Sequence, residues 1–235
     1  MGSSFIKIRS SFILLIAGLA ALFISCSQNT PELTTTDYSV IFDYENDETP
    51  PEARLSVFAS SASDVRRYEK IRIKSLDTGL YWEADNIACL ESESIQWAGC
   101  SNLRAPENEH FPTGRYEITY INADEKECSV KLEIKYDVGL YEVLLSGLAD
   151  YMKEKRGIEK IAIFDKEHIM IYFGDRTENF KTTRDIWNYY RQAYTYQVIW
   201  YSYGGRVICI EPEKAVTPES SPETEAESTA ENEIF

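Results

Sequence analysis

The chain has 235 residues, 43% of them hydrophobic and 27% charged, the balance of a folded globular chain and not of a disordered one. Its 39 Asp and Glu outweigh 24 Lys and Arg for a formal charge of −15, which argues against phosphate-backbone binding, since nucleic-acid affinity comes from clustered cations. Two His are too few for most metal or acid/base constellations, while 13% aromatic residues supply a large core with rings left over for the surface.

At the start of the chain Lys7 and Arg9 precede an apolar run, residues 11–24, the length of a signal-peptide core and too short for a relaxed membrane span. The run ends in Phe23-Ile24-Ser25-Cys26. A small residue followed by Cys at that place resembles a bacterial lipoprotein precursor. Phe23 stands where the common pattern has Leu, a relaxed form similar to spirochaete lipoproteins. The resemblance implies cleavage of residues 1–25 and acylation of Cys26 on its sulfur and new amino group, with palmitate-type chains. A plain secretory signal or an uncleaved anchor is the other reading. Met1-Gly2-Ser3-Ser4 is rejected as a myristoylation site because Ile6 stands where Ser or Thr is wanted. Several acyl chains, each stabilised by about 0.8 kcal/mol per buried CH₂, hold firmly to a lipid bilayer. Cleavage removes Lys7 and Arg9 and no acid, so the mature chain carries −17 and is not drawn to anionic headgroups.

Residues 26–37 are polar and without apolar periodicity, which reads as a flexible tether after the lipidated Cys. Residues 38–137 alternate apolar and polar side chains in short runs. Strands are predicted at 39–44, 53–59, 68–76, 80–84, 94–98, 114–121 and 128–136, a set that points to an antiparallel β-sandwich. In the last of them Cys128, Val130, Leu132 and Ile134 share one face, and Ser129, Lys131, Glu133 and Lys135 the other, so one face is core and one is wet. Pro112-Thr113-Gly114-Arg115-Tyr116 opens the penultimate strand. Here the domain resembles immunoglobulin-like and fibronectin type III-like sandwiches, and Tyr116 would form a tyrosine corner. Ile118 occupies the place of the antibody-type Cys, so no antibody-type inter-sheet disulfide is expected. The resemblance implies no catalytic activity.

Cys89, Cys100, Cys128 and Cys209 allow three full pairings in an exported chain. Cys89 and Cys100 flank one predicted strand and form the expected disulfide. Cys128 and Cys209, on core faces of different predicted domains, read as buried free thiols.

Residues 138–210 change period. Leu140, Val143, Leu144, Leu148, Tyr151 and Met152 fall at helical spacing, with Gly157 as the C-cap. A hairpin follows over 158–164 and 168–173. A second helix over 183–193 opens on a capping-box pattern, Thr182 with Asp185, and a second hairpin turns at Gly204-Gly205. The order αββαββ predicts a small α+β domain, a four-stranded antiparallel sheet with both helices on one face. Residues 211–235 hold eight Glu, one Lys and three Pro and are expected to form a disordered acidic tail, a solubilising brush or a docking peptide.

Within 187–203 there are eight aromatic residues. Tyr194, Tyr196 and Trp200 fall on one strand face, Tyr201 and Tyr203 on the other. Whichever set is exposed suits a protein interface or stacking on sugars; the other packs on helices. Arg206 is the adjacent polar anchor. No nucleophile elbow, zincin, Walker or dinucleotide motif is present in the sequence. His168 with Asp165 and Glu167 crowds a turn, and His110 lies beside Glu107 and Glu109 in a loop. The expectation is a protein without catalytic residues, metal or cofactor: a membrane-anchored lipoprotein of the cell envelope, on the outer membrane or a periplasmic face. Its leading role is a non-catalytic protein-binding or assembly/accessory subunit. The alternatives are glycan or peptidoglycan binding and surface exposure as an adhesin-like lipoprotein.

Overall fold

The computed structural model describes residues 33–216, apart from 62–64, 93–94 and 107–108. The signal segment, Cys26, the start of the tether and residues 217–235 lie outside the described residues. Thirteen strands and two α-helices are described. The first eight strands are β1 (Leu33–Asp43), β2 (Glu52–Ser61), β3 (Tyr68–Ser75), β4 (Tyr81–Ala84), β5 (Ala88–Ser92), β6 (Ile95–Arg104), β7 (Gly114–Asn122) and β8 (Glu127–Ile134). After them come α1 (Leu145–Glu154), β9 (Ile158–Phe164), β10 (Met170–Asp175), α2 (Thr183–Tyr189), β11 (Thr195–Ser202), β12 (Val207–Ile210) and β13 (Lys214–Ala215). The chain is mostly β, in two sheets, an arrangement compatible with a β-sandwich.

One sheet runs β4-β3-β7-β8, the other β10-β9-β11-β12-β1-β2-β6-β5, with β13 also on β11. Every pairing is antiparallel except β1 with β12, which is parallel, from Val40 opposite Val207 to Asp43 opposite Ile210. Through that pairing the sheet runs unbroken across residues 137–138, where the sequence suggests a boundary. The alternating residues Val40 and Phe42 of β1 and Leu55, Val57 and Ala59 of β2 point to one side. They meet Ile71 and Ile73 of β3 and Tyr116, Ile118 and Tyr120 of β7. The same cluster of buried residues takes in Leu148 and Met152 of α1, Ile186 of α2, and Ile161, Ile163, Val198 and Trp200 of β9 and β11. The four-stranded sheet thus covers one end of the large sheet and the helices the other, over one core. Each large apolar side chain buried there contributes about 1.5–3 kcal/mol.

Several local expectations change. β1 starts at Leu33, so the end of the predicted tether is strand: its β-branched Thr residues suit extended backbone, and the Thr34 hydroxyl lies 2.8 Å from that of Ser60. β5, paired with β6 at the edge of the large sheet, is an additional strand; all five of its residues are exposed, so it carries no alternation to read. The segment predicted as one helix from Leu140 divides into a 3-10 turn at Val138–Glu142 and α1, with Val143 and Leu144 extended between them. The N-terminus of α1 is satisfied from afar, the Ser146 N–H donating to Asp47 in the β1–β2 loop at 2.6 Å. At its other end Arg156, and not Gly157, is the left-handed residue (φ 57°). The Gly157 N–H bonds the Met152 carbonyl at 2.7 Å and the Arg156 N–H that of Lys153 at 3.0 Å, a Schellman pair. The Thr182–Asp185 capping box forms in both directions. Residues 211–216 of the predicted tail are folded: β13 pairs with β11, and buried Val216 donates its N–H to the Tyr194 carbonyl.

Candidate binding surfaces of the large sheet

The aromatic residues singled out in β11 divide between the two faces of the large sheet. Tyr196 and Trp200 turn toward the helices and are buried, and the Trp200 indole N–H donates to Glu211 at 3.0 Å. They are core residues and not a surface. Tyr194, just before the strand, is 60% exposed. Tyr201 lies on the opposite, outer face, where its ring meets that of Phe173 edge-on at 6.3 Å; the Tyr203 side chain lies outside the described ones. Arg206 leaves this group altogether. Its guanidinium sits 4.5 Å over the Tyr38 ring and 2.7 Å from Asp37, beside β1.

Register defines that outer face. Ile158 pairs with Tyr201 and Lys160 with Ile199, Phe173 with Ala162, and Ile208 with Tyr201. Ala162, Phe164 and Ile199 form a small buried cluster with Tyr201, Ile208 and Ile210 packed against it. Phe173 at 46% and Ile158 at 56% exposure stand at its margin, and Lys160 pairs with Asp175 across the strands. Ile158 and Phe173 were not singled out from the sequence. Their signal was the apolar character of both alternating sets in β9, β10 and β11, the pattern of a strand packed on two sides.

The end covered by the four-stranded sheet holds a second aromatic cluster. The Tyr116 hydroxyl donates to the Pro112 carbonyl at 2.6 Å. The Tyr136 hydroxyl donates to the Phe111 carbonyl, the Phe111 N–H donates to the Tyr141 hydroxyl at 3.2 Å, and exposed His110 stacks on the Tyr141 ring at 3.6 Å. Burial holds the phenols of Tyr116 and Tyr136 protonated well above the usual range, so these groups act as fixed hydrogen-bond donors. Asp165 accepts the N–H groups of Glu167 and Ile169, closing the hairpin in which His168 takes a positive φ of 59°.

The four Cys beyond Cys26 are free thiols. The expected Cys89–Cys100 disulfide is not made: Cys89 stands opposite Ala98, and Ala88 opposite Gly99. Cys100 is therefore diagonal to Cys89, where residues lie about 7–8 Å apart and their Cβ atoms only somewhat less, beyond disulfide reach. Cys209 is fully buried, and burial pushes its thiol up to about 12. Cys128 is half-buried, its thiol donating to the Tyr68 hydroxyl at 3.4 Å. Among the described residues no group of three or more His, Cys, Asp or Glu is placed to hold a metal ion, and no helix is long and apolar enough to cross a membrane. No protein-family model matches the chain, and a search of curated proteins finds no match.

Proposed function

We propose that the protein is a lipid-anchored subunit of a bacterial cell envelope that binds a protein partner through the outer face of its large sheet, without catalysis of its own. The observation that carries this reading is the apolar margin of Ile158, Phe173 and Tyr201 around the Ala162–Phe164–Ile199 cluster, on the face away from both helices. Apolar and aromatic groups left together on a surface are the usual mark of an interaction site. The anchor rests on the Ser25-Cys26 pattern, with acylated Cys26 as its bilayer contact.

The finer fold belongs to the same proposal. The strand order β1-β2-β6-β5 against β4-β3-β7-β8 corresponds to the A-B-E-D and C′-C-F-G order of immunoglobulin-like sandwiches, and the Tyr116–Pro112 bond to their tyrosine corner. The C-terminal half reads as an αββαββ unit whose sheet is grafted onto the sandwich through β1. A module of this build, held near a membrane, serves as an assembly or accessory subunit.

The experiment is crosslinking in intact cells, detergent extraction, capture through a tag within residues 217–235, and mass spectrometry. One reproducible protein partner, lost in Phe173→Ala/Tyr201→Ala but kept in the wild type, is the expected result. Recovery unchanged by both substitutions overturns the assignment of the face. Protease treatment of intact cells separates a periplasmic subunit, which survives, from a surface-exposed one, which is cut.

A further inference from the structure

On the same face, at the end remote from Phe173, a groove of about 280 Å³ crosses β1, β2, β6 and β5. From its lining we infer that it is a binding site for a neutral pyranose ring of a glycan chain. The site is distinct from the protein-binding surface proposed above and does not depend on it. The volume falls just below the usual range of ligand sites and suits one sugar ring better than a nucleotide or an acyl chain.

The apolar wall is Phe58, Leu90 and Trp97. Phe58 stands opposite Gly99, and a Cβ on Gly99 would come within 2.6 Å of its ring. The ring therefore lies against the Gly99 backbone, an aromatic laid over a glycine. An aromatic ring in that position offers a face for stacking, and the C–H face of a pyranose is a flat apolar partner for it. The polar wall is Asp37, Ser39, Ser56 and Ser92, acceptors and hydroxyls of the kind that pair with sugar hydroxyls. The Tyr38 N–H and Arg206 both donate to Oδ1 of Asp37, at 3.0 and 2.7 Å, which leaves Oδ2 to accept from a ligand. The Ser39 hydroxyl donates to the Gly205 carbonyl at 2.7 Å and keeps its lone pairs. Arg206 balances the Asp37 charge, so the wall favours a neutral ligand over a charged one.

The test uses the full-length chain in a detergent that carries no sugar, with maltotriose, cellotriose and chitotriose as probes, read by saturation-transfer NMR and isothermal titration calorimetry. Saturation transfer to at least one trisaccharide is expected, with affinity reduced about tenfold in both Phe58→Ala and Asp37→Asn. Asp37→Asn keeps the shape of the side chain, so it remains informative if Phe58→Ala disturbs folding. Phe173→Ala/Tyr201→Ala should leave sugar binding intact. No transfer to any of the three probes, or an affinity unchanged in Asp37→Asn and Phe58→Ala, overturns the assignment.

Discussion

Phe42→Ala tests whether the sandwich strands and the C-terminal half unfold as one body. Phe42 is fully buried on β1, the strand that pairs with β2 on one side and β12 on the other. Its ring meets Tyr141 edge-on at 5.1 Å and Tyr136 at 6.0 Å, residues from the connection between the two halves. Truncating a buried Phe to Ala costs about 3–5 kcal/mol, as lost transfer energy plus a residual cavity. For a folded unit of this size each kcal/mol lowers Tm by about 2–4 °C, so a fall of about 6–20 °C is expected. The assay is urea and thermal unfolding, followed in parallel by far-UV circular dichroism and by fluorescence of single-Trp variants that retain Trp82 or Trp200. If one core is shared, both probes move together to the lower midpoint with an unchanged m-value. Two separated transitions, only one of them shifted by the substitution, would refute the reasoning.

Four further outcomes follow from local geometry. Arg156→Gly should raise stability by about 1 kcal/mol, because Arg156 sits at φ 57°, where glycine has no Cβ penalty; a lower urea midpoint contradicts it. Gly99→Ala should cost about 3 kcal/mol, since its Cβ would lie 2.1 Å from the Val57 carbonyl oxygen and the backbone must give way; a loss below about 0.5 kcal/mol would show that the strands are not so close. Iodoacetamide at pH 8 should label exposed Cys89 and spare Cys209, whose thiol, pushed up to about 12, is a thiolate in only about one molecule in 10⁴. The folded state then binds more protons than the unfolded one above pH ~8.5, so the Cys209 contribution to stability is complete below that pH and declines as pH rises toward 12. Cys209→Val should remove that part of the alkaline decline, and an unchanged pH profile would exclude it.

Much of the local structure was legible because it depends on neighbours in sequence. The Thr182–Asp185 capping box and the positive φ of Gly204 and Gly205 follow from side chains and backbone within a few residues. The strand alternation around Tyr116 and Ile118 was equally visible. β5 was missed because an edge strand exposed on both faces has no period, and the break before α1 because Val143 and Leu144 keep helical spacing while adopting extended backbone. The candidate surface was legible only in part. Period-two alternation separated Tyr196 and Trp200 from Tyr201, but both sets are apolar, so nothing local says which one the helices cover.

The sequence by itself determined the mostly β character, the presence of two helices and the Thr182 cap that opens the second, the acidic charge and the Ser25-Cys26 pattern on which the anchor reading rests. Each is a property of composition or of short-range periodicity. The first helix starts five residues later than predicted and the second ends at Tyr189, not at residue 193. Only the tertiary structure decided that β12 lies parallel to β1, that the sheet continues from one half to the other, and that Arg206 reaches Asp37 instead of the aromatic residues near it in the chain. Val40 and Val207 stand opposite each other across most of the described chain, and such pairings depend on how two distant apolar faces close over one core, a choice no local pattern encodes.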